Sequence, residues 1–398
     1  MEEITTDIVV IGLGAFGAAA LWRLAERGVN VVGIDRYGLG HHLGSSHGTT
    51  RLFRVACQEH PGLAPIARKS RDLLQELGRE TGQSLIMTTG CLSVGAPDTP
   101  PIAGTKAAAA QAGITLEELD HEELLRRFPQ FTGTDQRAVG VIDPEAGVCF
   151  PERDVRAQGE AAVRAGARVL ADTRVTGLEM LDDGVRVTTP VATVRARQAI
   201  VAAGAWNPKL IPGLPLIPRR TPMFWWDPKP GHEAEFAMPD FPAVVHDLPD
   251  GRRLWGHGSY DGPEGTWQVK IGMDGEFADF AATDADALDR YIHPREDLGQ
   301  VSEWVADAFD GIEPMPARTI PCMVTHSPDS QFLIGRPGGD PRLVLAGGDS
   351  GHGFKHTAGI GELLAQIALG EDTYTDVAFM NPDRFPEVAM AVAALPFG

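Results

Sequence analysis

The chain opens with short apolar runs alternating with a helix-forming block. Ile8-Val9-Val10-Ile11 is continuously apolar, as a strand buried on both faces would be. Ala18 to Arg27 is a strong helix former, Gly28 is placed to end it, and Val29 to Ile34 reads as a second buried strand closed by Asp35. Pro61 to Gly82 has helical periodicity, with Leu63, Ile66, Ala67, Leu73, Leu74 and Leu77 on one side. Ser84 to Gly95 then reads as a β-hairpin with Gly90 at the turn, residues 97–105 as a surface loop, and Thr115 to Phe128 as helix. This block departs from the βα rhythm, so a second domain is expected to begin near residue 83.

Gly147 to Glu152 predicts a short strand, Asp154 to Ala165 a helix, and Ala167 to Ala171, Thr173 to Glu179 and Gly184 to Thr189 further strands. Arg197 to Trp206 is a buried strand running into a glycine turn. Pro218 to Trp226, Ala243 to His246, Arg252 to His257 and Trp267 to Met273 suggest an antiparallel sheet. Asp284 to Ile292 and Val301 to Phe309 read as helices, and Phe332 to Gly335 and Leu343 to Ala346 as strands. A second glycine-rich stretch, Gly347 to Lys355, opens a helix at Thr357. The expected class is α/β (α+β overall): a Rossmann-like dinucleotide-binding domain of residues 1–82, 148–215 and 317–398, and a mainly antiparallel substrate domain of residues 83–147 and 216–316.

Gly12-Leu13-Gly14-Ala15-Phe16-Gly17 stands between the first strand and its helix. Gly12 permits the tight turn, Gly14 lets backbone approach a pyrophosphate, and Gly17 lets the helix pack on the strand. The helix N-terminus then offers free N–H groups to phosphate. Asp35 can accept from ribose hydroxyls, which argues against NADP but leaves NAD and FAD open.

The 398 residues carry a net charge of −19, which argues against nonspecific nucleic-acid binding and against an anionic membrane surface. No apolar run approaches the ~18 residues of a membrane helix. The N-terminus lacks a basic segment and a cleavage site, and the four cysteines show no CxxC spacing, so the cytoplasm is the expected compartment and neither a zinc ribbon nor a disulfide scaffold is expected. Against the acidic background, Gly44 to Arg54 holds Ser46, His47, Thr50, Arg51 and Arg54. It reads either as a solvated loop with surface arginines or as donors aimed at a cofactor or an anionic substrate.

With Lys270-Ile271-Gly272, Cys322-Met323-x-Thr325 and Ser350-Gly351-His352-Gly353-Phe354-Lys355, these motifs stand in one order along the chain. Together they resemble the monomeric sarcosine oxidase and N-methyltryptophan oxidase family, flavin amine oxidases of the D-amino-acid-oxidase-like fold. The resemblance covers essentially the whole chain. It implies FAD, held by Gly12, Gly14, Gly17, Asp35, Ser46, Thr50, Val175, Gly204, Gly351, Gly353, Phe354 and Lys355 and bonded covalently through Cys322. It implies that His47 and Arg51 lie close to the isoalloxazine, that Arg54 and Lys355 clamp a substrate carboxylate, and that Lys270 faces flavin N5 and activates oxygen. Taken alone, Cys322 also reads as a buried structural cysteine, and the less favoured reading of Lys270 is a surface strand lysine.

Asp274, Trp255-Gly256-His257-Gly258 and Val324 depart from the sarcosine-specific pattern, which makes His257 and Asp274 candidate substrate-side residues; His257 also reads as a satisfied strand histidine. The expected activity is oxidation of a secondary amine bearing a carboxylate to an imine, with O2 reduced to hydrogen peroxide, by a monomer. The alternatives are an oxidase of a larger amine, cyclic imino acid or glycated amino acid, a flavin dehydrogenase with another acceptor, and a non-catalytic dinucleotide-binding sensor needing neither Cys322 nor Lys270.

Overall fold

In the computed structural model, residues 2–260, 268–274 and 280–398 are described. Strand Glu2–Ile11 is central to the first sheet, parallel to Val31–Ile34 on one side and to Ala192–Val201 on the other. Arg168–Leu170 continues the parallel order beyond Val31–Ile34, and Leu343–Gly347 pairs with Ala192–Val201. Gly177–Leu181 and Gly184–Thr188 add an antiparallel meander. Residues 8–11, Val31–Ile34 and Leu343–Gly347 are continuous buried runs because helices cover this part of the sheet. Helix Ala15–Glu26 packs against both Pro151–Arg164 and Thr357–Leu369.

The turn into that first helix leaves no room for a side chain at Gly12 or Gly17. A Cβ on Gly17 would stand 1.8 Å from the Gly12 carbonyl oxygen. Gly17→Ala is therefore expected to cost about 3 kcal/mol or more, because the atom it meets is backbone and cannot swing away. An unchanged urea-unfolding midpoint would contradict this.

Among the described residues the second sheet runs in the order Arg318–His326, Ile217–Trp226, Val269–Met273, Arg253–His257, Ala243–Asp247, Cys91–Gly95, Val139–Asp143, Glu117–Leu119. All its pairs are antiparallel except Ala243–Asp247 with Cys91–Gly95. Its register sets Lys270 opposite both Trp225 and His257, so the three side chains share one face. Arg318–His326 pairs along its length with Ile217–Trp226, setting Cys322 opposite Thr221. A small third sheet joins Arg51–Phe53, Gly147–Cys149 and Ile86–Thr88.

Four sequence expectations are corrected. Residues 84–95 are no hairpin: Ile86–Thr88 and Cys91–Gly95 enter different sheets, because Gly90, at φ +76°, donates its N–H to Ala146 and turns the chain away. The supposed loop at 97–105 contains the start of helix Pro100–Ala112, with prolines in the first turn, where their missing N–H costs nothing. Residues 115–128 are strand Glu117–Leu119 followed by helix His121–Arg127, whose Asp120 cap accepts from Glu123 N at 2.9 Å. Residues 284–292 form no helix, because Asp284 and Asp289 bond the backbone N–H two residues on, at 2.7 and 3.0 Å. Trp267, expected to begin a strand, lies outside the described residues, and the strand there is Val269–Met273. Among the described residues no helix is long and apolar enough to cross a membrane.

Candidate active site

Between the two large sheets lies a cavity of about 430 Å³. It is lined by Gly12, Gly14 and Asp35 of the glycine turn, by Val175 and Gly204, and also by Ser46, Arg51, Cys322, Gly351, Gly353 and Phe354. The two glycine-rich stretches, far apart in sequence, thus open onto one space. The first helix begins at Gly14 without a side-chain cap, Ser46 Oγ accepting from Ala15 N at 3.1 Å. Gly204, at φ +53°, has nothing within 4 Å of where a Cβ would stand, so the wall there is open. Asp35 accepts from Leu13 N at 2.8 Å and from Tyr37 N and Gly38 N, which anchors the carboxylate at the cavity wall.

Arg51 reaches the Ser45 carbonyl at 3.1 Å and stands 4.0 Å from Cys322 Sγ. Burial raises the Cys322 thiol pKa, and the Arg51 cation opposes the rise. His47 is buried with Nε2 unpartnered. Burial, then the nearby Arg51 and Lys270 charges, lower its pKa to about 2, so it is neutral. This open glycine-walled space, with the start of the first helix and an anchored carboxylate on its wall, fits a large dinucleotide; among the described residues His47, Arg54, Lys270 and Lys355 lie outside its lining.

Lys270 is fully buried and donates to the carbonyls of Gly48 at 2.7 Å and Thr50 at 2.8 Å, with Nζ 4.9 Å from the Trp225 ring centroid. It is not a surface lysine. Burial, then Arg51, hold its pKa well below the ordinary lysine value.

Arg54 and Lys355 converge on one carboxylate. Glu59 Oε1 accepts from Arg54 Nη2 at 2.7 Å and from Lys355 Nζ at 2.9 Å. Burial alone would raise the Glu59 pKa, but the two cations hold it well below its ordinary value. Glu59 in turn outweighs the burial penalty on Arg54, whose pKa is raised. Arg54 Nη1 and Glu59 Oε2 are buried without partners among the described residues, so the cluster keeps unused hydrogen-bonding capacity there.

Not every expected site residue joins the cavity. Gly17 lies beneath the turn. Thr50 and His257 are bonded to each other at 2.7 Å, and His257 Nδ1 lies 2.8 Å from the Gly258 carbonyl, so both ring nitrogens have partners. Asp274 is paired with Arg253 at 3.3 Å. Sequence reasoning missed Glu59, Glu152 and Asp286. The signal for Glu59 was present: it is the only acid between Asp35 and Asp72, in a stretch rich in Arg and His. Glu152 fastens the loop by accepting from Gly48 N at 2.7 Å and Thr49 N at 3.1 Å. Asp286 accepts from Trp206 Nε1 at 2.8 Å and pairs with Arg36 and Lys209 at the cavity margin. No local pattern announces these two.

Comparison with known proteins agrees with this geometry. The FAD dependent oxidoreductase (DAO) family matches over residues 7–367. A monomeric sarcosine oxidase from Streptomyces avermitilis is 32% identical over 383 residues, covering 96% of this chain and 98% of that one. An N-methyl-L-tryptophan oxidase from Yersinia pestis is 29% identical over 381 residues, covering 95% and 99%. Among solved structures, NikD, an amino acid oxidase of nikkomycin biosynthesis, superposes with a TM-score of 0.79 at 25% identity, covering 95% of this chain and 98% of that one. L-proline dehydrogenase from P. horikoshii shares the fold, with a TM-score of 0.78 at 22% identity and 97% and 99% coverage. An α/β chain with a glycine-turn cavity, matched by this family over nearly its whole length, belongs to the FAD-dependent oxidoreductases and is an enzyme of that class.

Proposed function

We propose that this enzyme oxidises secondary amino acids, N-methyl amino acids among them, at the C–N bond, with O2 as acceptor. The observation that carries the reading is the convergence of two buried cations, Arg54 and Lys355, on a single carboxylate oxygen. Such a pair is a receptor for a carboxylate, with Arg supplying a planar fork and Lys a point charge. Glu59 stands in for the substrate's own carboxylate. Bound FAD supplies the two-electron acceptor for the amine and the route of those electrons to oxygen.

The chain's residues divide the remaining work. The glycine turn and helix start accommodate the pyrophosphate, and Asp35 the ribose. Ser46, Val175, Gly204, Gly351, Gly353 and Phe354 complete the cofactor's surroundings. Neutral His47 with Arg51 flanks its reactive ring. The Lys270 ammonium offers positive charge where oxygen gains its first electron. The imine product hydrolyses after release to an amine and a carbonyl compound, and O2, taking the two electrons and two protons, leaves as hydrogen peroxide. In this reading residues 1–82, 148–215 and 317–398 hold the cofactor, and residues 83–147 and 216–316 face the substrate. A monomer in the cytoplasm is the proposed acting unit, in keeping with four free, buried cysteines.

Cys322 is proposed to carry the flavin, with Arg51 near the sulfur favouring its thiolate. On a denaturing gel the parent is expected to fluoresce and to exceed the chain mass by about one FAD, and Cys322→Ala to lose both signals. Flavin that leaves the parent on denaturation would remove this assignment. The activity itself is tested by peroxide release from N-methyl amino acids and from the matching amines without a carboxylate. Equal turnover of both sets would refute the carboxylate-receptor reading.

A further inference from the structure

The least expected neighbours of Lys270 are His257 and Thr50. His257 is the cross-strand partner of Lys270. Its Nδ1 lies 2.8 Å from the Gly258 carbonyl, which can only accept, so Nδ1 carries the proton and Nε2 is a lone-pair acceptor. Thr50 Oγ1, 2.7 Å away, is then the donor to Nε2. The main-chain carbonyl of the same Thr50, with that of Gly48, takes two of the three Lys270 ammonium hydrogens, and the third has no acceptor among the described residues. The turn bearing these carbonyls is strained, Thr49 lying at φ +63°. Glu152 ties its other side through Gly48 N and Thr49 N. A β-branched residue has few side-chain rotamers, so fixing the Thr50 hydroxyl also restrains its backbone.

We infer that His257 and Thr50 form a positioning pair, a hydroxyl-to-imidazole bond that holds the strained turn so that its carbonyls aim the Lys270 ammonium. The inference rests on the proposed role of Lys270 toward oxygen and names the device that sets it. The charged and titratable groups facing Lys270 are His47 and Arg51 on the loop, Glu152, His257 on the neighbouring strand, and Cys322 and Arg318. Of these, His257 is neutral, burial and then the Lys270 charge lowering its pKa to about 3. It acts through hydrogen-bond direction and not through charge.

The test uses the holoenzyme and the variants Thr50→Val, Thr50→Ser, His257→Leu, His257→Gln and Lys270→Met. Two quantities are read. One is the rate of reoxidation by O2 divided by the anaerobic rate of flavin reduction. The other is the pH midpoint of the visible-spectrum change of the resting oxidised protein, taken as the part that Lys270→Met abolishes. Thr50→Val and His257→Leu are expected to lower the first about tenfold, as loss of one positioning bond does. The same variants are expected to move the second down by about one unit, because slack carbonyls stabilise the ammonium less. His257→Gln keeps an acceptor and should restore both, and Thr50→Ser, which keeps the donor without the β-branch, should restore most of both. Parental values in Thr50→Val or His257→Leu, or Thr50→Ser behaving as Thr50→Val, would overturn the inference. Lys270→Met reoxidising at the parental rate would instead overturn the role of Lys270 from which it starts.

Discussion

Lys270→Met is expected to slow the reaction of the reduced enzyme with oxygen by about 10²–10³-fold, the usual loss when one preorganised electrostatic donor is removed from a dry site. The amine-oxidising half should suffer far less, so the reduced enzyme accumulates in turnover. Lys270 is fully buried and its ammonium is held by two carbonyls. The charge therefore stands in a medium where it acts over several ångströms with little screening. The active form is the cation, so oxygen reactivity should be present at low pH and fall as pH rises through the Lys270 pKa. Because burial and Arg51 lower that pKa, the fall lies below the ordinary lysine range. Stopped-flow reoxidation across pH checks both points, and a profile flat into the alkaline range, or parental rates in Lys270→Met, would discard the role. Lys270→Arg keeps the charge but changes the fork, and it should recover only part of the rate.

Arg54→Ala should lower kcat/KM for amino acid substrates by about 10²–10⁴-fold while flavin stays bound. The estimate follows from two charge-assisted hydrogen bonds at ~1.5–3 kcal/mol each, with each ~1.4 kcal/mol worth a factor of ten. Most of the loss should appear in KM, since the carboxylate is held alike before and during the reaction. The substitution also leaves Glu59 with Lys355 as its one remaining close cation, so its pKa should rise toward the ordinary carboxylate range. Amines lacking the carboxylate are the control, and an equal loss on them would mean that Arg54 acts on the fold. Glu59→Gln is expected to tighten binding of a carboxylate inhibitor by about tenfold, because it removes the negative charge that competes for Arg54 and Lys355. Weaker inhibitor binding would show that Glu59 aligns the two cations more than it occupies them.

Much of the cofactor half was legible from local pattern. The first strand, its glycine turn, the helix and the second strand each follow from contiguous residues, and the backbone that a Cβ would strike at positions 12 and 17 leaves only glycine there. The cationic loop and the second glycine-rich segment were legible as motifs, and they do line one cavity. The misread segments were those where short-range hydrogen bonding competes with propensity. Aspartates at 284 and 289 turned a helical pattern into loops, and prolines taken as loop residues opened a helix.

The sequence by itself thus determined the dinucleotide-binding frame, the carriers of positive charge and the candidate thiol, because each depends on residues adjacent along the chain. Only the tertiary structure decided which charges meet. Glu59 pairs with Arg54 five positions away and with Lys355 across 296 positions, and Lys270 is tied to a turn 220 positions away. It also decided that His257 serves a hydroxyl and Asp274 an arginine. The physical reason is that a buried charge must find its partner in space. Strand register sets that partnership, and no periodicity in the chain encodes register between strands so far apart.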